Sequence, residues 1–293
     1  MGCRSHTLAA MPGHDNGRPL VMGVLNVTPD SFFDGGRYPT AASAVAHGLS
    51  MVADGADIVD VGGESSRPGA EPVDEAEELR RVVPVVEALA GAVRVSVDTV
   101  KPAVARAAVA AGATLVNDIS GELWPVAADL GVGWVAMHMQ GTPRDMQRDP
   151  SYDDVVAEVW AFVLDRARQA AAAGVGEVWV DPGIGFGKTP AHNLSLLAHL
   201  GELCAAAEAG GHQVMVGTSR KSSIGRLDTT GGVHLPPSDR LEGSLATAVW
   251  AMTRGAGMVR VHDVAPSVVA AALVGPASAI PHRLSASGRK LPA

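Results

Sequence analysis

Three acidic or amide side chains, Asp98, Asn117 and Asp181, each close a short apolar run of the chain, and a second set, Arg67, Lys221, Arg260 and His262, is cationic or able to become so. The first set offers hydrogen-bond acceptors on otherwise apolar elements, which suits a neutral ligand rich in N–H donors. A carboxylate facing an amidine-like edge makes paired, charge-assisted bonds. The second set can gather phosphate oxygens. Asn26 adds a hard oxygen of the kind that ligates Mg2+, an ion that takes few protein ligands and completes its shell with substrate phosphates. Together they predict a nitrogen heterocycle carrying a phosphate or diphosphate.

Such groups must be carried by elements that end together. Eight apolar runs read as buried strands: Val21–Leu25, Asp57–Val61, Val93–Val97, Thr114–Asn117, Trp134–Met137, Glu177–Val180, Val214–Gly217 and Met258–Val261. They are nearly continuous in apolar residues, the pattern of parallel strands covered on both faces. Helical patterns lie between them at Ala41–Ala53, Glu75–Leu89, Pro102–Ala111, Trp124–Leu130, Asp154–Ala173, Leu194–Ala209 and Leu241–Arg254. Eight strand–helix units in about 255 residues predict an α/β fold, a single-domain (β/α)8 TIM barrel, with a doubly wound sheet as the alternative. Every strand delivers a polar group at its C-terminal end, including Glu64–Ser66–Arg67 after the second, His138 after the fifth and Ser219–Arg220–Lys221 after the seventh. That is the end at which barrel enzymes build their sites. Residues 1–18 read as a flexible leader, 19–275 as the barrel and 276–293 as a tail, with an insertion at 228–239.

Composition narrows the partners. The 293 residues carry a formal net charge of -8, which argues against a general nucleic-acid or membrane-surface binder. An anionic substrate must therefore be met by a local cluster of positive charge. The two cysteines, Cys3 and Cys204, support no disulfide framework and read as free thiols in a reducing compartment. No run of 18 apolar residues occurs and the first residues lack a signal-peptide core, so a cytoplasmic protein is expected.

Several residues carry plainer readings. The stretch Pro182–Thr189 (PGIGFGKT) approaches the phosphate-binding pattern GxxxxGK[ST], but position 182 is Pro where that pattern has Gly. Its glycines read instead as places where backbone approaches a ligand or a mobile loop, and Lys188 as a loop-surface lysine. Asp118 reads as a capping residue beside Asn117, Thr99 as the helix cap after Asp98, and His138 as structural. The acids Asp74–Glu78 with Arg80–Arg81 read as a solvated helix face, and the apolar helix 241–254 as a subunit interface.

The ordered set of segments resembles one family. VMGVLNVTPDSFFDGG (21–36) and DIVDVGGESSRPGA (57–70) are similar to the first two signatures of the dihydropteroate synthases. SVDT, NDIS, MHMQGTP, DPGIGFGK, SRKS and RVHDV follow in the family's order, so the resemblance spans roughly residues 20–275. It implies a (β/α)8 barrel, usually a homodimer, that joins 6-hydroxymethyl-7,8-dihydropterin diphosphate to 4-aminobenzoate, giving 7,8-dihydropteroate and pyrophosphate for folate synthesis. It also implies a target of sulfonamides.

Carried over position by position, the resemblance places Asp98, Asn117, Asp181 and Lys221 around the pterin. Asn26, Arg260 and His262 would bind the diphosphate with Mg2+, and Ser66, Arg67, Pro68, Phe186 and Ser219 would neighbour the aminobenzoate. Asp98, Lys221 and Arg260 are the expected catalytic set. Position 66 is Ser where the family commonly has Thr, and Phe33 stands where a small residue is frequent. The alternatives are a pterin-dependent methyltransferase on the same barrel, which has no need of Lys221, Arg260 and His262, and a non-catalytic paralogue.

Overall fold

The structure is a computed structural model that describes residues 17–28, 41–221 and 235–275. Eight parallel strands close into a barrel in chain order: β1 (Leu20–Asn26), β2 (Ile58–Gly62), β3 (Arg94–Asp98), β4 (Leu115–Asp118), β5 (Gly133–Met137), β6 (Val178–Asp181), β7 (Gln213–Val216) and β8 (Met258–Val261). β8 pairs with β1 at Leu20↔Met258 and closes the ring, so the doubly wound alternative falls.

Helices alternate with the strands: α1 (Ala41–Ala53), α2 (Glu75–Leu89), α3 (Pro102–Ala110), α4 (Trp124–Leu130), α5 (Val155–Ala172), α6 (Pro190–Ala198), α7 (Leu200–Ala209), α8 (Leu241–Thr253) and α9 (Val264–Val274). Their starts follow local chemistry. Asp74 accepts from the Glu77 amide at the head of α2, and Asp154 accepts from Val156 and Ala157 at the head of α5, each satisfying donors the helix cannot. The helix expected at 194–209 is two helices that meet at His199. Thr189 and Pro190 start the first of them, with a reciprocal Thr189–His192 cap. The last helix, α9, escapes the sequence reading, because VAPSVVAAALV begins two residues past the strand with no turn signal and no polar stripe.

Two apolar layers hold the fold. Strand residues such as Val59, Val97, Val116 and Val180 pack outward against the helices in one continuous core. Inside the barrel, Met22, Ile58, Leu115, Val135, Trp179 and Met215 fill the half nearer the strand N-termini. Each such buried side chain contributes on the order of 1.5–3 kcal/mol. Ion pairs tie the barrel together at its base, where Arg94 reaches Glu177 across 83 residues. Arg18, expected in the flexible leader, instead bonds Asp57 through both terminal guanidinium nitrogens, Nη1 and Nη2, at 2.8 Å. Cys3, Phe33, the 276–293 tail, the leader up to residue 16 and the 228–234 part of the insertion lie outside the described residues.

Candidate active site

Strand alternation decides which side chains meet. Asp98 on β3 lies beside Gly62 on β2 and beside Asn117 on β4, and Asp181 lies beside Met137. With a side-chain period of two, Ser96 and Asp98 face the barrel interior, as do Arg260 and, past the end of β8, His262. Asp118 faces outward and does what a cap does. Its Oδ1 accepts from the Ser120 amide, and its Oδ2 from Glu122, Leu123 and the Trp134 indole.

Above the apolar plug, Asp98, Asn117, Asp181, Lys221 and Arg260 share the wall of one cavity with Ser66 and Phe186. Arg260 is its hub. Nε donates to Asp60 Oδ2 at 2.7 Å and Nη2 donates to Asp98 Oδ2 at 2.6 Å, leaving Nη1 outside both contacts. Asn117 Nδ2 donates to the same Asp60 oxygen at 2.9 Å. Asp60 is fully buried and does not come from the strand-end reading, because it sits in the middle of β2. The available signal is a lone acid inside an apolar run, Ile58-Val59-Asp60-Val61.

Burial sets the charge states. It pushes the Asp98 carboxyl up to about 7, against the pull of Arg260, and it raises Asp181 as well, opposed by the Gly183 amide and Lys221. The same burial brings the Lys221 ammonium down to about 7, with Asp181 working the other way. Lys221 lies over the Phe186 ring. Burial, helped by Arg260 and Arg220, brings His262 down to about 3, so its imidazole is neutral at pH 7.

His262 is held by Ser219, whose hydroxyl accepts from the His262 amide and meets its Nδ1, both at 3.1 Å. Arg220 pairs with Asp263 through Nε at 3.1 Å and adopts φ 57, a conformation that non-glycine residues rarely take. Ser66 lines the cavity, but Arg67 and Pro68 are exposed and do not line it. An adjoining recess shares Ser66 and Asp98 with the cavity.

Three plainer readings change. Lys188 is not a surface lysine; it is 2% exposed. Its Nζ lies 2.9 Å from His138 Nδ1 and donates to the carbonyls of His138, Gly183 and Phe186 at 3.0–3.1 Å. The PGIGFGK loop thus wraps its carbonyls around its own lysine. Gly183 (φ +66) permits this, since a Cβ there would sit 1.9 Å from the His138 carbonyl oxygen. His138 is structural, as expected, and burial brings it down to about 3. Thr99 is not the cap residue of α3, which is Lys101; its hydroxyl accepts from the Lys101 amide at 3.1 Å just ahead of the helix and donates to Glu78 at 2.7 Å. Glu78, expected on a solvated face, is 1% exposed and with Glu64 grips Lys101.

Among the described residues no three His, Cys, Asp or Glu side chains come together as a metal cage. Asn26, the last residue of β1 and partly exposed at the barrel mouth, is a lone amide oxygen. That donor set fits an ion that relies on substrate phosphates for most of its shell.

The pterin binding enzyme family matches residues 22–262. Dihydropteroate synthase of Escherichia coli is 47% identical over 268 residues, covering 89% of this chain and 92% of that protein. The structure of Xanthomonas albilineans dihydropteroate synthase with 4-aminobenzoic acid superposes with a TM-score of 0.80 at 48% identity, over 90% of this chain and 94% of that one. The same enzyme in complex with 7,8-dihydropteroate gives a TM-score of 0.77 at 46% identity, over 90% and 95%.

Proposed function

The chain belongs to the pterin-binding enzyme family, and from that premise we infer that it is a dihydropteroate synthase in which the cavity at the barrel mouth does the chemistry. It joins 6-hydroxymethyl-7,8-dihydropterin diphosphate to 4-aminobenzoate. The bond from the pterin methylene carbon to the diphosphate oxygen breaks and pyrophosphate leaves with the electron pair. The arylamine nitrogen then bonds to that carbon and loses a proton to solvent. The observation that carries this reading is the convergence of Asp98, Asn117, Asp181, Lys221 and Arg260 on one wall.

As the leaving group departs, charge becomes positive at the pterin and negative at the diphosphate. Asp98 and Asp181 favour the first, and Lys221, with the outer face of Arg260, favours the second. His262 is neutral and is proposed to donate a hydrogen bond, with Ser219 fixing its ring. Asn26 would hold Mg2+, which supplies a counter-charge to the leaving diphosphate. The arylamine needs little general-base help because it is already neutral at pH 7. Ser66, Phe186 and the exposed Arg67 and Pro68 are proposed to border it. A pterin-dependent methyltransferase would leave the Lys221–Arg260–His262 group without a role.

A homodimer fits the apolar surface that α8 and α9 expose at Leu241, Trp250, Val269 and Leu273. A cytoplasmic setting fits the free Cys204, and no helix among the described residues is long and apolar enough to cross a membrane.

The test is to incubate the purified protein with the pterin diphosphate, 4-aminobenzoate and Mg2+ and follow dihydropteroate formation. Turnover is expected. A folded protein that gives none contradicts the assignment and favours the non-catalytic paralogue.

A further inference from the structure

Asp60 is a carboxylate of the barrel interior that the chemistry above leaves without a task. It does not line the cavity, yet its Oδ2 receives both Arg260 Nε and Asn117 Nδ2. Its Oδ1 is buried with no partner, as is the hydroxyl of Ser96 at the neighbouring register position on β3. A carboxylate beside an arginine only accepts, whereas an amide presents N–H2 at one end and oxygen at the other. The Asn117 amide must therefore turn its N–H2 end to Asp60, and the end left for a ligand is its oxygen.

We propose that Asp60 is a positioning residue that sets the hydrogen-bond polarity of the pterin pocket. It locks Asn117 so that Asp98, Asn117 and Asp181 all present acceptors to the ligand, and it holds Arg260 upright against Asp98. This rests on reading the cavity as the pterin pocket. Without the lock, Asn117 can flip and offer a donor to a donor-rich edge. The pair formed by positions 60 and 117 needs one donor and one acceptor, and either order satisfies it. When the two side chains are exchanged, the amide at position 60 donates to the carboxylate at position 117, which still presents oxygen to the ligand with the charge of the cluster unchanged; Arg260 gives up its Nε contact with position 60 and keeps Asp98.

Calorimetric titration of 6-hydroxymethyl-7,8-dihydropterin diphosphate with Mg2+ into four full-length proteins tests this: the wild type, Asp60→Asn, Asn117→Asp and the double exchange. Thermal melts show which of them are folded. Each single variant is expected to bind at least tenfold more weakly than the wild type. The double exchange is expected to recover at least tenfold over the weaker single one, so the two changes couple in a double-mutant cycle. If Asp60→Asn does not fold, Asn117→Asp against the double exchange makes the same comparison. A merely structural Asp60 makes the double variant no better than the singles, and that result overturns the proposal. A folded wild type that binds no pterin diphosphate overturns the pocket reading instead.

Discussion

The Lys221 ammonium lies 3.8 Å from the centroid of the Phe186 ring. The lysine stem also runs along Gly185, whose Cβ, if present, would be 3.1 Å from Lys221 Cδ. The loop after β6 is thus a seat for the lysine that follows β7, and it fixes the position of a flexible four-carbon chain over the cavity.

A first prediction concerns that seat. A desolvated cation–π contact is worth about 2 kcal/mol. Phe186→Leu keeps the apolar volume and removes the ring face. It should raise KM for the pterin diphosphate by roughly tenfold with only a small change in melting temperature. Steady-state kinetics read this, and an unchanged KM removes the seat from the account.

The second follows from charge. Burial lowers Lys221 to about 7, so at pH 8 the free protein holds it mostly neutral. A bound diphosphate raises that value, and the lysine takes up a proton on binding. Asp98, raised to about 7 by burial, is already mostly ionised at pH 8, and contacts from ligand N–H groups keep it so. Titrations at pH 8 in two buffers of different ionisation enthalpy should show net uptake of a fraction of a proton, absent in Lys221→Met. Release, or uptake that survives the substitution, is the contrary result.

A third concerns Lys188. Replacing it with Met leaves three buried carbonyls without their donor, at about 1–3 kcal/mol for each unmet group, softened where the loop relaxes. A loss of roughly 2–4 kcal/mol is expected by urea unfolding. Stability within error of the wild type would mean the loop holds itself without its lysine.

Much of this is legible in the sequence. Periodicity gives all eight strands to within two residues at either end, and chemistry at strand ends leads to Asp98, Asn117 and Asp181, which do share one cavity. What escapes has physical causes. Asp60 lies mid-strand, where a strand-end rule does not look. Lys188 follows three glycines that suggest a ligand, and sequence does not reveal that carbonyls of that loop turn inward on the lysine itself. Arg260 is expected from sequence to serve phosphate alone; its two carboxylate partners lie 162 and 200 residues away and become visible only when β8 closes beside β1.

The central claim is that this cavity consumes the pterin diphosphate, with Asp98 at its wall. The most direct measurement compares dihydropteroate formation by Asp98→Asn and by the wild type, on proteins whose melting temperatures agree within a few degrees. The account predicts a fall of at least 100-fold in kcat/KM, about 2.7 kcal/mol of transition-state stabilisation. Turnover within threefold of the wild type would contradict it.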